Sequence, residues 1–180
     1  AITGCTHVCH QAALGSVPRS IENPVLTNDM NIVGSLNLLF LAVKNSVSRF
    51  VFASSSSVYG DSLEMPKKEE DTGNPLSPYA VTKSALEQYS KVFNEIYDID
   101  TVGLRYFNVF GPRQSPEGAY AAVIPIFLKS LIKGESPVIF GDGKQTRDFT
   151  YVSNSVDANI LALFDDIPGA YGKTFNVACG

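Results

Sequence analysis

Tyr79 and Lys83 stand four residues apart, directly after Ser77-Pro78. If Ser77 caps a helix that begins at Pro78, the phenol and the ammonium share one face about a turn apart. An ammonium beside a phenol favours the phenolate. A free tyrosine titrates near 10, so a base working near neutrality needs about 3 pH units, roughly 4 kcal/mol, of differential stabilisation. In a partly dry cleft one lysine could supply much of that, and a serine hydroxyl could share the proton with a substrate hydroxyl. Alone, such a pair is also what an ordinary exposed helix face carries. Its company sets it apart: Ser54-Ser55-Ser56-Ser57 lies upstream and Arg105-Tyr106-Phe107-Asn108 downstream, each at a strand end.

Other clusters carry less chemistry. Of Cys5, His7, Cys9 and His10, alternation puts positions 5, 7 and 9 on one strand face, where neighbouring side chains point in parallel and do not converge, so no metal is expected. The cysteines read as buried thiols and the histidines as packed or hydrogen-bonded. The acidic run Glu69-Glu70-Asp71 reads as solvated surface. Tyr59-Gly60 reads as packing and turn geometry, and Asp148 as structural. Phe40, Phe50, Phe52, Phe93, Phe127 and Phe164 are expected in the core.

The elements that must position these groups alternate along the chain. Strands are expected at 6–10, 49–53 and 100–107, with helices at 24–45 and 78–97 between them. This order is the signature of a parallel α/β sheet with right-handed crossovers. The first helix, with Pro24 after Asn23, is apolar nearly all round from Leu36 to Val43 and should be covered on more than one side. Beyond Gly111 the texture changes, with a helix at 120–133, short strands near 138–140 and 149–152, a helix at 154–164 and a strand at 174–178. A boundary near residue 111 separates the sheet scaffold, 1–111, from a smaller lobe, 112–180, interleaved with the last sheet strands. In open parallel sheets ligands bind beyond the carboxyl ends of the strands, which directs His10-Gln11-Ala12-Ala13, the serine run and Arg105 to Asn108 toward one cleft.

Composition narrows the classes. The chain has 180 residues, 44% hydrophobic and 18% charged, and a net charge of −4. No block of like charge exists to hold nucleic acid or an anionic membrane. The longest apolar run, Leu38 to Val43, is too short to span a bilayer. Three cysteines without framework spacing suit a reducing, cytoplasmic compartment. The chain opens on Ala1 and ends on Cys179-Gly180 just past a strand-like run, which reads as a piece of a longer protein.

Tyr79/Lys83 with Ser55, the strand end Ser55-Ser56-Ser57-Val58-Tyr59-Gly60, and the run Arg105 to Arg113 together resemble the extended short-chain dehydrogenase/reductases, in particular the NAD-dependent nucleotide-sugar epimerases. His10 to Ser20 and Arg113 to Tyr120 resemble the UDP-N-acetylglucosamine 4-epimerases. The resemblance implies an incomplete Rossmann-like doubly wound parallel sheet, a central fragment with part of a smaller C-terminal substrate lobe. It implies Tyr79 as base, Lys83 as the group that lowers its pKa and holds the nicotinamide ribose, and Ser55 on the sugar hydroxyl. Ala12, Ala13, Asn31, Ser54, Tyr106 and Phe107 would line the NAD site. Gly15, Ser16, Ser56, Ser57, Asn108, Gln114, Ala122, Val123 and Arg147 would hold a UDP-sugar, with Arg147 on the diphosphate. A homodimer through the helices at 24–45 and 78–97 is also implied.

The family's glycine-rich phosphate loop and the end of its substrate lobe do not occur in these residues, so the resemblance assigns the chain the middle of an enzyme. Three chemistries compete: C4 inversion of a UDP-hexose, a 4,6-dehydratase or UDP-glucuronate decarboxylase, and NAD binding without catalysis. Dehydratases of this superfamily carry an Asp-Glu pair where Ser56 and Ser57 stand. A non-catalytic binder has no use for the Ser55/Tyr79/Lys83 set.

Overall fold

The computed structural model describes residues 2–117 and 122–180. Four parallel strands form the main sheet in the order β1 (His7–His10), β2 (Arg49–Ser55), β3 (Asp100–Tyr106), β6 (Lys173–Val177). A two-stranded parallel sheet pairs β4 (Val109–Phe110) with β5 (Thr150–Tyr151). The helices are α1 (Val17–Glu22), α2 (Pro24–Asn28), α3 (Gly34–Lys44), α4 (Pro78–Tyr97), α5 (Val123–Ile132) and α6 (Val152–Phe164).

β2 is apolar along nearly its whole length because both of its faces are covered. Phe50 and Phe52 point to one side and meet Leu39 and Ala42 of α3 and Leu86 and Phe93 of α4. Val51 points to the other and packs with Val102, Leu104, Val177 and Ala162 of α6. α4 is expected and observed over the same residues. The Ser77 hydroxyl accepts the Ala80 N–H at 3.1 Å, Pro78 fills the first turn, and Asp98 ends the helix in the left-handed region.

Several elements depart from expectation. The single helix over 24–45 is α2, a π-helical turn (Asp29–Val33) and α3 in succession. The widened turn falls at Asn31, whose side chain bonds to both the Leu14 backbone and Thr82. By length and composition this run, 24–44, would suffice to cross a membrane, with a mean hydropathy of 1.2. Here it is a sheet-covering helix, with Leu39 and Ala42 fully buried against Phe50 and Phe52. It is covered on one side only: Phe40 is 44% exposed and carries Lys44 over its ring.

Phe164 also lies at the surface, against His7 at the open edge of the sheet. No strand forms at 138–140. No neighbouring edge pairs with it among the described residues, and Gly141 and Gly143, both at positive φ, turn the chain away. The strand expected at 149–152 shrinks to β5, because Val152 already opens α6. The expected start of the 120–133 helix lies outside the described residues; α5 follows from Val123. All three cysteines are exposed, not buried: Cys5 and Cys179 lie beyond strand ends, and Cys9 sits on β1, an edge strand of the sheet. His10 is buried and bonds to Ser35 at 2.7 Å.

Candidate active site

β2 ends at Ser55, and the chain then tightens into a 3-10 turn, Ser56–Tyr59. The Ser55 hydroxyl accepts the Ser57 N–H at 3.2 Å, and it lies near enough to the Tyr79 phenol to draw its pKa down. Gly60 closes the turn at φ 49; a Cβ there would stand 1.8 Å from the Asn74 carbonyl oxygen, so only glycine fits.

One turn along α4 from Tyr79, Lys83 is 4% exposed. Its Nζ donates to the Ala53 carbonyl at 2.7 Å and lies 5.8 Å from the Tyr79 ring centroid. Burial pulls the Lys83 ammonium down to about 8. Burial pushes the Tyr79 phenol up, and the Ser55 hydroxyl works against that. Burial outweighs the Ser55 contribution, so the chain's own residues hold Tyr79 above its ordinary value. His10, beside this group, is held down by burial and by the charge on Lys83.

The lysine imposes a pH dependence with a definite sign. Below about 8 it is charged folded and unfolded alike, so the full burial cost is present. Between about 8 and 10.5 the unfolded chain keeps a proton the folded one has released, and stability rises with pH. Chemical denaturation of the NAD-free whole protein at pH 7 and pH 10 should show that rise, and Lys83→Met should flatten it. Equal slopes in both would contradict the burial of this ammonium.

The remaining candidates distribute unevenly. Asn108, Gln114, Ala122, Val123 and Arg147 come together around a pocket of about 190 Å³, walled also by Phe110 and Phe149. Asn108 and Arg147 also line the adjoining cleft of about 810 Å³, with Ser56, Ser57, Phe107 and Val17. Among the described residues the Ser57 Oγ and Gln114 Oε1 are buried without a partner, and Arg147 is exposed, its only bond there going to the Thr146 carbonyl. Ala12, Ala13 and Gly15 lie exposed on the loop after β1, and Ser16 caps α1 through the Arg19 N–H.

Three expected cofactor residues have their polar groups committed elsewhere. Asn31 spends its amide on Leu14 N and O and on Thr82 Oγ1, so it braces the Ala12–Gly15 loop. Ser54 donates to Glu87. Tyr106 points to the α6 side of the sheet, where Asn159 Nδ2 donates to its hydroxyl at 2.6 Å.

Sequence reasoning missed Glu87 and Arg105, a buried pair at 2.8 Å. Two signals pointed to them. Glu87 continues the Tyr79/Lys83 face by one turn, and Arg105 is a charge inside an apolar strand.

The model of the NAD dependent epimerase/dehydratase family matches residues 1–178. The chain belongs to that family. It is 40% identical over 174 residues to the UDP-glucose 4-epimerase of Mycolicibacterium smegmatis, a match covering 96% of this chain and 54% of the relative. Among solved structures it resembles the UDP-N-acetylglucosamine 4-epimerase of Methanobrevibacter ruminantium in complex with UDP-N-acetylmuramic acid, with a TM-score of 0.94 and 47% identity over 99% of this chain and 56% of that one. It also resembles the Thermus thermophilus UDP-glucose 4-epimerase in complex with NAD, with a TM-score of 0.84 and 40% identity over 98% of this chain and 57% of that one. The chain spans about half the length of the curated relatives it matches.

The donor set fits the group this family is named for. A buried ammonium that donates to the Ala53 carbonyl, beside a phenol and a serine hydroxyl, is a donor set suited to the hydroxyls of a nicotinamide ribose.

Proposed function

We propose that this chain carries the catalytic centre of an NAD-dependent 4-epimerase that inverts C4 of a UDP-hexose, either the UDP-N-acetylglucosamine/UDP-N-acetylgalactosamine pair or the UDP-glucose/UDP-galactose pair. The observation that carries the reading is the Tyr79 phenol set beside Ser55 and one helical turn from buried Lys83, whose Nζ lies 5.8 Å from the Tyr79 ring centroid. Near it, Ser56 and Ser57 share a cleft with Asn108 and Arg147.

In this reading Ser55 holds the sugar 4-hydroxyl and Tyr79 takes its proton. Lys83 stabilises the phenolate and donates to the nicotinamide ribose. NAD, when bound, supplies the reversible hydride acceptor at C4. Tyr79 then returns the proton once the 4-keto sugar has turned its other face, which inverts the centre with no net redox change. Arg147 holds the diphosphate, and Asn108 and Gln114 hold the nucleotide side. Ser56 and Ser57 offer no carboxylate for removing water across C5 and C6, which disfavours the dehydratase.

Residues 1–111 then supply the central part of the NAD-binding domain, and 112–180 part of the substrate lobe. A homodimer belongs to the same reading: Val25, Met30 and Val33 on one helical run and Val81, Val92 and Ile96 on α4 are 44–70% exposed. Incubating the whole protein with UDP-N-acetylglucosamine, UDP-glucose and UDP-glucuronate, with proton NMR of the products, tests the chemistry. C4 inversion of either hexose is expected. Loss of water or of carbon dioxide as the sole outcome would overturn it.

A further inference from the structure

Directly beneath Ser55, Tyr79 and Lys83 lies a buried polar network that the proposed chemistry does not use. Glu87 stands two turns along α4 from Tyr79, on the same face. Its Oε1 accepts from the Ser54 hydroxyl and from Arg105 Nε at 2.9 Å, and its Oε2 accepts from Arg105 Nη2 at 2.8 Å. The β2–β3 register sets Ser54 beside Arg105 and Ser55 beside Tyr106. The Glu87 and Arg105 side chains are only 13% and 6% exposed.

The other end of the guanidinium reaches the cleft wall. Arg105 Nη1 donates to the Tyr59 hydroxyl at 3.0 Å and to the Glu69 carbonyl at 2.9 Å. Tyr59 donates to Asn176 Oδ1 at 2.6 Å, and Asn176 Nδ2 donates to the Lys67 carbonyl at 3.0 Å. Tyr59, Lys67 and Asn176 all line the large cleft. One ion pair thus joins the end of β2, the catalytic helix and the wall of the cleft.

We propose that Glu87 and Arg105 are positioning residues: Glu87 locks α4 in register with Ser54 so that the neighbouring Ser55 meets Tyr79, and Arg105 holds the cleft wall to the same frame. The proposal rests on the epimerase reading. A fully satisfied buried network rigidifies what it touches, and a bidentate Arg–carboxylate pair fixes direction as well as distance. The Ser55–Tyr79 contact depends on two elements far apart in sequence, and Glu87 bonds across them to the Ser54 side chain, as Lys83 does to the Ala53 carbonyl.

Glu87→Gln keeps the size and removes the charge, and Ser54→Ala keeps the ion pair and cuts only its link to β2. In the whole protein with NAD, each is expected to lower kcat, by on the order of 100-fold for Glu87→Gln, with KM nearly unchanged. A readout independent of turnover is the ultraviolet titration of Tyr79, taken as the difference from Tyr79→Phe. It should move upward in both variants, because the Ser55 hydroxyl that draws the phenol down is displaced from it. If Glu87→Gln fails to fold, Ser54→Ala carries the same two readouts. An unmoved Tyr79 titration, or kcat equal to wild type, would overturn the positioning role. A wild-type protein that inverts neither hexose would end the epimerase reading instead, and the titration, which needs no turnover, still decides the positioning claim.

Discussion

Tyr79→Phe is expected to lower kcat by on the order of 10²- to 10⁴-fold, the range a positioned acid–base group contributes. NAD and UDP-sugar affinities should change little. Phenylalanine keeps the ring that packs beside Lys83 and loses only the hydroxyl that meets Ser55. The neighbouring titratable groups are poor substitutes. The Lys83 ammonium bonds to the Ala53 carbonyl and is cationic below about 8, so it holds no free pair with which to take a proton. His10 is buried and engaged with Ser35. Ser55 remains in place and can hold a substrate hydroxyl, yet a serine has no proton affinity to match. Product formation measured at saturating UDP-sugar checks the result. A rate within tenfold of wild type would move the base to another residue.

Arg49→Met is expected to destabilise the fold by about 1–3 kcal/mol, because half-buried acceptors at the end of α6 would lose a charged partner. Arg49 opens β2, and its guanidinium reaches across the sheet to the end of α6. It donates to the carbonyls of Leu163 at 3.1 Å and Asp165 at 2.6 Å, and to the Tyr171 hydroxyl. Asp100 lies 3.6 Å away. The last carbonyls of a helix have no partner within it, and a cation placed there satisfies them and complements the helix dipole. Methionine fills similar volume, so the loss is polar and not a cavity. Urea unfolding of the whole protein should show a lower midpoint at an unchanged slope. A midpoint at the wild-type value would show that these carbonyls find water instead.

The local signals in the sequence were strong enough to place most elements. Ser77-Pro78 marks the start of α4, and the unbroken apolar run Phe50, Val51 and Phe52 marks a strand covered on both sides. The parallel order of three strands follows from the helices between them. Where such reasoning failed, the deciding partner lay outside the segment. Residues 138–140 are a short apolar run like a strand but find no edge to join among the described residues, and Phe40 and Phe164 are apolar residues that the described residues leave exposed.

Residue type and spacing by themselves determined the chemistry on offer: a phenol and an ammonium one turn apart, with serines at one strand end and Arg-Tyr-Phe-Asn at another. Those relations are local, set by helix pitch and strand alternation, and survive without knowledge of the fold. Only the tertiary structure decided how each group spends its hydrogen bonds. Packing turned Ser54 to Glu87, Asn31 to the loop after β1 and Tyr106 to Asn159, and burial set Tyr79 above its ordinary value while drawing Lys83 below. Desolvation and long-range pairing depend on what the rest of the chain brings alongside, and no short spacing encodes that.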